Sequence, residues 1–161
     1  MKTEHELKQA LEAHGSAVRR VCFMHLKNRA DVEDVFQEIF LKYILYECSF
    51  ESDEHEHAWL LRVAMNQCKD LLKSYFRKRV TSLEDADIAS FSLQEEDKEL
   101  LDAILQLPEK YRNVIYLHYY EGYSAVEIAK MLGKRENTVY TWLTRARARL
   151  KEAIGGEFFD E

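Results

Sequence analysis

The chain has 161 residues, 47% of them hydrophobic and 32% charged, with one proline, five glycines and a formal net charge of −6. That length suits one or two small domains with a real buried core, and so few chain breakers favour helices. No apolar run reaches membrane-spanning length and no basic-then-apolar leader opens the chain, so a cytoplasmic protein without membrane insertion is expected.

Periodicity predicts a helix or helix pair over about Glu4 to Lys27 and a second helix from Asp31 to about Tyr46. In DVEDVFQEIFLKYI, Asp31 to Ile44, the residues Val32, Val35, Phe36, Ile39, Phe40 and Tyr43 make one buried stripe. The outer face groups Asp34, Gln37, Glu38 and Leu41 at i, i+3, i+4 and i+7. Two carboxylates, an amide and an apolar residue on one face suit the docking of a partner helix; a solvated acidic face fits the same residues.

A long helix follows, from about Glu56 to Arg79. Its stretch AWLLRVAMNQCKDLLKSYFRKR, Ala58 to Arg79, buries Leu60, Ala64, Cys68, Leu71 and Tyr75 on one side. Trp59, Arg62, Asn66, Lys69, Lys73 and Phe76 form an outward stripe, with Asp70 beside it and Arg77, Lys78 and Arg79 at the end. Cations meet phosphates, aromatic faces stack on unpaired bases and Asn66 has the groups to read a base edge, so the stripe suits melted nucleic acid. A basic helix end favoured by the helix dipole, with Trp59 and Phe76 packed in the core, fits equally.

Periodicity fades in VTSLEDADIASFSLQEED, Val80 to Asp97, which has the turn-forming and acidic composition of a linker. Charge is partitioned around it. Met1 to Arg79 carries 13 acids and 13 bases, Val80 to Asp102 eight acids and one lysine, and Ile104 to Glu161 nine bases and eight acids. The net charge of −6 therefore does not argue against nucleic-acid binding by either end.

Beyond the linker, a helix is expected around Lys98 to Gln106, then a Leu107-Pro108 break with proline at a first helical position, then a helix to Glu121 closed by Gly122. The stretch SAVEIAKMLGKRENTVYTWLTRARARL, Ser124 to Leu150, has a capping box at Ser124 and Glu127, apolar Ile128, Ala129 and Leu132, and a helix-ending Gly133. A second helix starts near Glu136 with Val139, Leu143, Ala146, Leu150 and Ala153 as its buried stripe, leaving Tyr140, Thr141, Thr144 and Arg145 outside. This is the pattern of a helix-turn-helix, whose second helix enters the major groove; an ordinary helical hairpin shares it.

Other signals are weaker. Cys22, Cys48 and Cys68 are odd in number and lack a CxxC, so they are expected to be reduced packing residues. Glu54-His55-Glu56-His57 near Cys48 lacks a usual zinc spacing, and no metal is expected. His5, His14 and His25 show no partner pattern. No nucleophile set or phosphate-cradling glycine loop emerges, so neither catalysis nor a cofactor is expected.

In this order, these segments resemble the bacterial RNA polymerase sigma factors of the small, extracytoplasmic-function type. The resemblance implies an all-α fold of two small domains, an N-terminal helical bundle and a C-terminal helix-turn-helix domain, joined by an acidic linker. The boundaries fall at residues 1–79 for a region 2-like domain, 80–97 for the linker, 98–155 for a region 4-like domain and 156–161 for a tail. It implies that Asp34, Gln37, Glu38 and Leu41 dock on the clamp helices of the largest subunit of core RNA polymerase. Trp59, Arg62, Asn66, Lys69, Asp70, Lys73 and Arg77 fall at the element that melts and reads the promoter −10 region, where Asn66 meets a flipped-out base.

The block LPEKYRNVIYLHYYEGYSAVEIAKMLGKRENTVYTWLTRARARL resembles the domain that reads duplex −35 DNA and meets the polymerase flap region. There His118, Arg135, Thr138, Tyr140, Thr141, Thr144 and Arg145 approach DNA, with Arg145 on phosphate and Tyr140, Thr141 and Thr144 supplying specificity. By the same resemblance Glu84, Asp85, Asp87, Glu95, Glu96 and Asp97 run through the RNA exit path, and an anti-sigma factor is a common partner. Four positions depart from the family pattern: Lys134 and Arg135 replace an apolar residue and a small cap, Trp142 a basic residue, and Met65 an arginine. Two rivals stay open here: a stand-alone helix-turn-helix regulator, and a sigma-like interaction protein that has lost DNA contacts at Met65, Lys134 and Trp142.

Overall fold

The computed structural model describes residues 1–78 and 95–154, with side chains described for 1–74 and 99–154. The chain divides into two compact units, Met1–Ser90 and Phe91–Glu161. All regular structure among the described residues is helical, and no helix there is long and apolar enough to cross a membrane. Of the linker expected over 80–97, residues 80–94 lie outside the described residues, including Glu84, Asp85 and Asp87.

The N-terminal unit is a three-helix bundle of α1 (Glu4–His25), α2 (Arg29–Leu45) and α3 (Asp53–Lys78). A capping box starts α1: the Glu6 N–H donates to Thr3 Oγ1 at 3.1 Å and the Thr3 N–H to Glu6 Oε1 at 3.0 Å. Asn28 caps α2 by accepting from the Asp31 N–H at 2.8 Å. All three helices pack apolar faces inward, with Val18, Val21, Cys22, Val32, Ile39, Leu60, Leu61, Ala64 and Cys68 at 0% exposure. Lys2 clasps the end of α2, donating from Nζ to Tyr46 O at 2.8 Å while lying 5.3 Å from the centre of the Phe50 ring.

The C-terminal unit contains α4 (Glu95–Leu105), α5 (Glu109–Ile115), a π-helical turn (Tyr116–Tyr120), α6 (Ala125–Leu132) and α7 (Glu136–Ile154). The start of α4 corrects the expected onset at Lys98, since Glu95, Glu96 and Asp97 are already helical. Pro108 stands at the cap of α5, one position before its first helical residue. The π-helical turn was not expected. The Glu121 N–H donates to Tyr116 O at 3.1 Å, an i→i−5 bond that widens the last turn before Gly122, whose φ is 82°. Val114, Leu117, Ile128, Val139, Ala146 and Leu150 are fully buried, so α7 is the common packing partner of this unit.

Candidate functional site

On α2 the expected stripe is buried except at Phe36, which is half-buried. The guanidinium of Arg19 lies over the Phe36 ring at 4.2 Å and pairs with Glu33, so the ring lies beneath a cation at the rim of the bundle. Asp34, Gln37, Glu38 and Leu41 are all exposed on the opposite face. Leu41 is 55% exposed and Leu45, one turn further, 59%, so the acidic face carries an apolar step that a purely solvated face does not require.

On α3, Arg62, Asn66, Lys69, Asp70 and Lys73 are exposed, while Leu60, Ala64 and Cys68 are buried behind them. Leu71 is half-buried rather than buried. Tyr75, Phe76, Arg77 and Lys78 lie in the last turns of the helix, but their side chains fall outside the described residues, as does Arg79 altogether. Trp59 departs from the outward stripe. Its ring sits 4.6 Å from Tyr46, 5.5 Å from Phe50 and 6.4 Å from Tyr43, in an aromatic cluster that closes the loop between α2 and α3. Trp59 is half-buried, so its ring packs on the cluster with one side and keeps part of its surface exposed. Met65 is only 3% exposed, so the methionine where the family often has arginine faces the core, away from the exposed face.

Two connections within this unit escaped the sequence. The side chain of Gln67 spans Glu38 and Lys42 of α2, and no spacing rule relates residues on separate helices. His14, which showed no partner pattern, is buried with its Nδ1 2.8 Å from Nδ1 of His57 and its Nε2 3.5 Å from Glu56 Oε1. Burial first, and the neighbouring His57 second, hold His14 below the usual imidazole range, outweighing the charge of Asp53. Burial likewise raises Glu56, and Glu56 accepts from the Tyr43 hydroxyl at 3.3 Å. That hydroxyl is pushed up to about 12, again chiefly by burial. The Glu54–His57 stretch lies in the first turns of α3 and is taken apart: His57 and Glu56 turn inward while His55 Nδ1 accepts from the Glu51 N–H at 3.1 Å. Among the described residues no group of three or more His, Cys, Asp or Glu is placed to hold a metal ion. Cys22 and Cys68 are buried and Cys48 exposed, all three as free thiols.

The C-terminal turn is built as its residues dictate. The Glu127 N–H donates to Ser124 Oγ at 3.1 Å and the Ser124 N–H to Glu127 Oε1 at 2.9 Å, which holds Glu127 below the usual carboxylate range. Gly133 takes the left-handed conformation, φ 65° and ψ 37°, and α7 starts three residues later at Glu136. Val139, Leu143, Ala146 and Leu150 face inward as expected, but Ala153 is exposed because the stripe outruns the unit at the end of α7.

Outward from α7 stand Tyr140, Thr141, Thr144 and Arg145, with Thr138 half-buried at its first turns. The Thr144 hydroxyl donates to Tyr140 O at 2.9 Å, which fixes its rotamer. Arg135 is exposed beside Lys130 and Lys134 at a shallow hollow between α6 and α7, so the two basic departures concentrate positive charge at the turn. Trp142 is half-buried, with Lys110 at 5.5 Å and Lys134 at 5.9 Å from its ring centre, and so gathers cations rather than removing them. His118 is half-buried on the π-helical turn, with Nδ1 2.8 Å from Tyr123 O. Beside it the Tyr119 hydroxyl receives Arg147 Nε at 2.5 Å.

Residues 10–80 match the family described as Sigma-70 region 2, and residues 97–150 match Sigma-70, region 4. A sigma factor of the same type from Mycobacterium tuberculosis, SigM, is 30% identical over 149 residues, covering 91% of this chain and 76% of the relative. The chain belongs to the extracytoplasmic-function sigma factors.

SigV of Bacillus subtilis is 28% identical over 137 residues, 83% of this chain and 81% of that one. The sigma factor RpoE of Bartonella quintana, solved with the anti-sigma factor NepR, shares the fold at a TM-score of 0.72 and 23% identity, over 92% of this chain and 96% of that one. CnrH, solved with the cytosolic domain of CnrY, gives a TM-score of 0.67 at 25% identity over 93% and 88%. This sigma factor is a promoter-specific transcription initiation factor whose partners are core RNA polymerase and promoter DNA. Neither a stand-alone regulator nor a sigma-like protein without promoter activity is favoured.

Proposed function

We propose that the two units divide the work at the level of named residues. Residues 1–79 dock on the clamp helices of core polymerase through Asp34, Gln37, Glu38 and Leu41, then open and read the −10 region through Arg62, Asn66, Lys69, Asp70, Lys73 and Arg77. Residues 98–155 read duplex −35 DNA through Arg135, Thr138, Tyr140, Thr141, Thr144 and Arg145, with His118 beside them, and meet the flap region. Trp59 leaves the DNA set for the aromatic cluster that shapes the start of α3. The acidic residues Glu84, Asp85 and Asp87, ahead of α4, belong to the linker that follows the RNA exit path.

One observation carries the reading. Asp34, Gln37, Glu38 and Leu41 on α2, Arg62, Asn66, Lys69, Asp70 and Lys73 on α3, and Tyr140, Thr141, Thr144 and Arg145 on α7 are exposed, and buried apolar stripes lie behind them. An ordinary helical hairpin needs the stripe but not an exposed outer row of threonines, tyrosine and arginine. The protein acts in the cytoplasm, supplies no catalysis of its own and needs no cofactor. Because one similar sigma factor was solved with an anti-sigma factor and CnrH with the cytosolic domain of CnrY, an anti-sigma factor that masks the exposed α2 face is part of the proposal.

Reconstitution with core polymerase on a promoter library, beside gel shifts without polymerase, tests it. Polymerase-dependent initiation from promoters sharing −10 and −35 elements is the expected result. Sequence-specific binding without polymerase, or polymerase binding that never initiates, overturns it.

A further inference from the structure

The rim between α2 and α3 carries a bridge that none of these roles uses. Gln67, half-buried on α3, donates from Nε2 to Glu38 Oε2 at 2.9 Å and accepts at Oε1 from Lys42 Nζ at 2.5 Å. Glu38 and Lys42 lie one turn apart on α2, so a single planar amide joins an anion and a cation at once. A carboxylate at position 67 would repel Glu38, an ammonium would repel Lys42, and an aliphatic chain would release both. Among the described residues the second oxygen of Glu38, Oε1, takes no hydrogen bond within the chain and is left for an incoming cation.

We propose that Gln67 is a positioning residue that fixes the Glu38 carboxylate for core polymerase before the two meet. A glutamate on an exposed helix face samples several rotamers, and ordering it on docking weakens association. A charge-assisted bond from a half-buried amide selects one rotamer in the free protein. The same bridge fastens the docking face to the turn of α3 that presents Asn66, the residue next to Gln67. This rests on the reading of Glu38 as a docking residue.

The test is a double-mutant cycle on the full chain, reading the dissociation constant for core polymerase and the melting temperature of each variant. Gln67→Leu is expected to weaken association about threefold to tenfold in the parent but leave it unchanged in a Glu38→Ala background. Gln67→Glu, which opposes Glu38 yet keeps Lys42, repeats the cycle without relying on an apolar replacement. Equal losses in both backgrounds mean a general structural role and overturn the inference. No loss from either Gln67 variant, while Glu38→Ala weakens association, overturns it alone. Unweakened association by Glu38→Ala overturns the docking reading beneath it as well.

Discussion

His14 is a residue whose chemistry is set by what folds over it. It is 6% exposed and shares a proton with His57, so one imidazole donates, the other accepts, and full protonation of both breaks the bond. Its folded value lies below the usual 6.5, so on acidification the unfolded chain binds the proton first and stability falls as pH drops through 6.5 toward the folded value. Glu56, raised above 4.5, has the opposite sign and returns part of that loss between its folded value and 4.5. Urea midpoints of the full chain from pH 8 to 5 are therefore expected to drop below about 6.5, and His14→Gln to flatten the drop; a flat parental profile would refute this. Asn66 obeys different rules, being exposed and near the bridge rather than in it. Asn66→Ala should leave melting temperature and polymerase affinity unchanged while slowing strand opening about tenfold or more, a loss on the scale of one good base contact. Permanganate reactivity of the −10 thymines measures this, and normal opening would remove Asn66 from its role. The outward placement of Asn66 was legible in the sequence because its helix has one dominant apolar stripe. The partners of His14 and Gln67 were not, since each is fixed by a crossing of helices that leaves no periodic trace.

The same division holds for whole elements. The Ser124–Glu127 capping box and Gly133 were readable because a cap depends on residues within one turn of each other. The π-helical turn at Tyr116–Tyr120 was not, because its widened bonds answer to packing: Tyr116 stacks on Tyr120 with ring centres 5.2 Å apart, and its hydroxyl meets Glu121. The ring contacts of Trp59 were not legible for a related reason. Helical spacing near the first turns of α3 cannot anticipate the rings of Tyr46 and Phe50 in the preceding loop. Since the helix-turn-helix geometry lives in local capping, it should be breakable locally. Ser124→Ala is expected to destabilise the C-terminal unit by about 1 kcal/mol through the lost cap. Gly133→Ala is expected to act with similar size, roughly 1 kcal/mol, because alanine resists a φ of 65°. Either should lower the unit's melting temperature by roughly 4–8 °C. Calorimetry on the full chain checks this, and unchanged transitions for both variants would show that tertiary packing against α7 alone sets the turn.

At the scale of the whole molecule the decisive quantity is how little charge each unit can bring to DNA. Met1 to Arg79 is neutral in sum and Ile104 to Glu161 carries a surplus of one base, nine against eight, so each half has only its local basic clusters, and no sizeable net positive field, to hold DNA. Binding energy that depends on counterion release is then small, and it fades quickly with salt. A protein of this kind becomes selective when a third body holds both halves at promoter spacing, because the second contact then forms at high effective concentration. Reversing charge on the exposed α2 face should therefore abolish function without touching a single DNA contact. Asp34→Arg combined with Glu38→Arg is expected to reduce polymerase association at least a hundredfold, since two favourable pairs become two repulsive ones. Initiation should vanish from every promoter while the melting temperature stays within a few degrees of the parent. Co-sedimentation with core polymerase and run-off transcription read the two quantities separately. If the double variant still initiates at parental levels, the acidic face of α2 is only a solvated surface, and the platform that makes two weak readers into one must lie elsewhere on the chain.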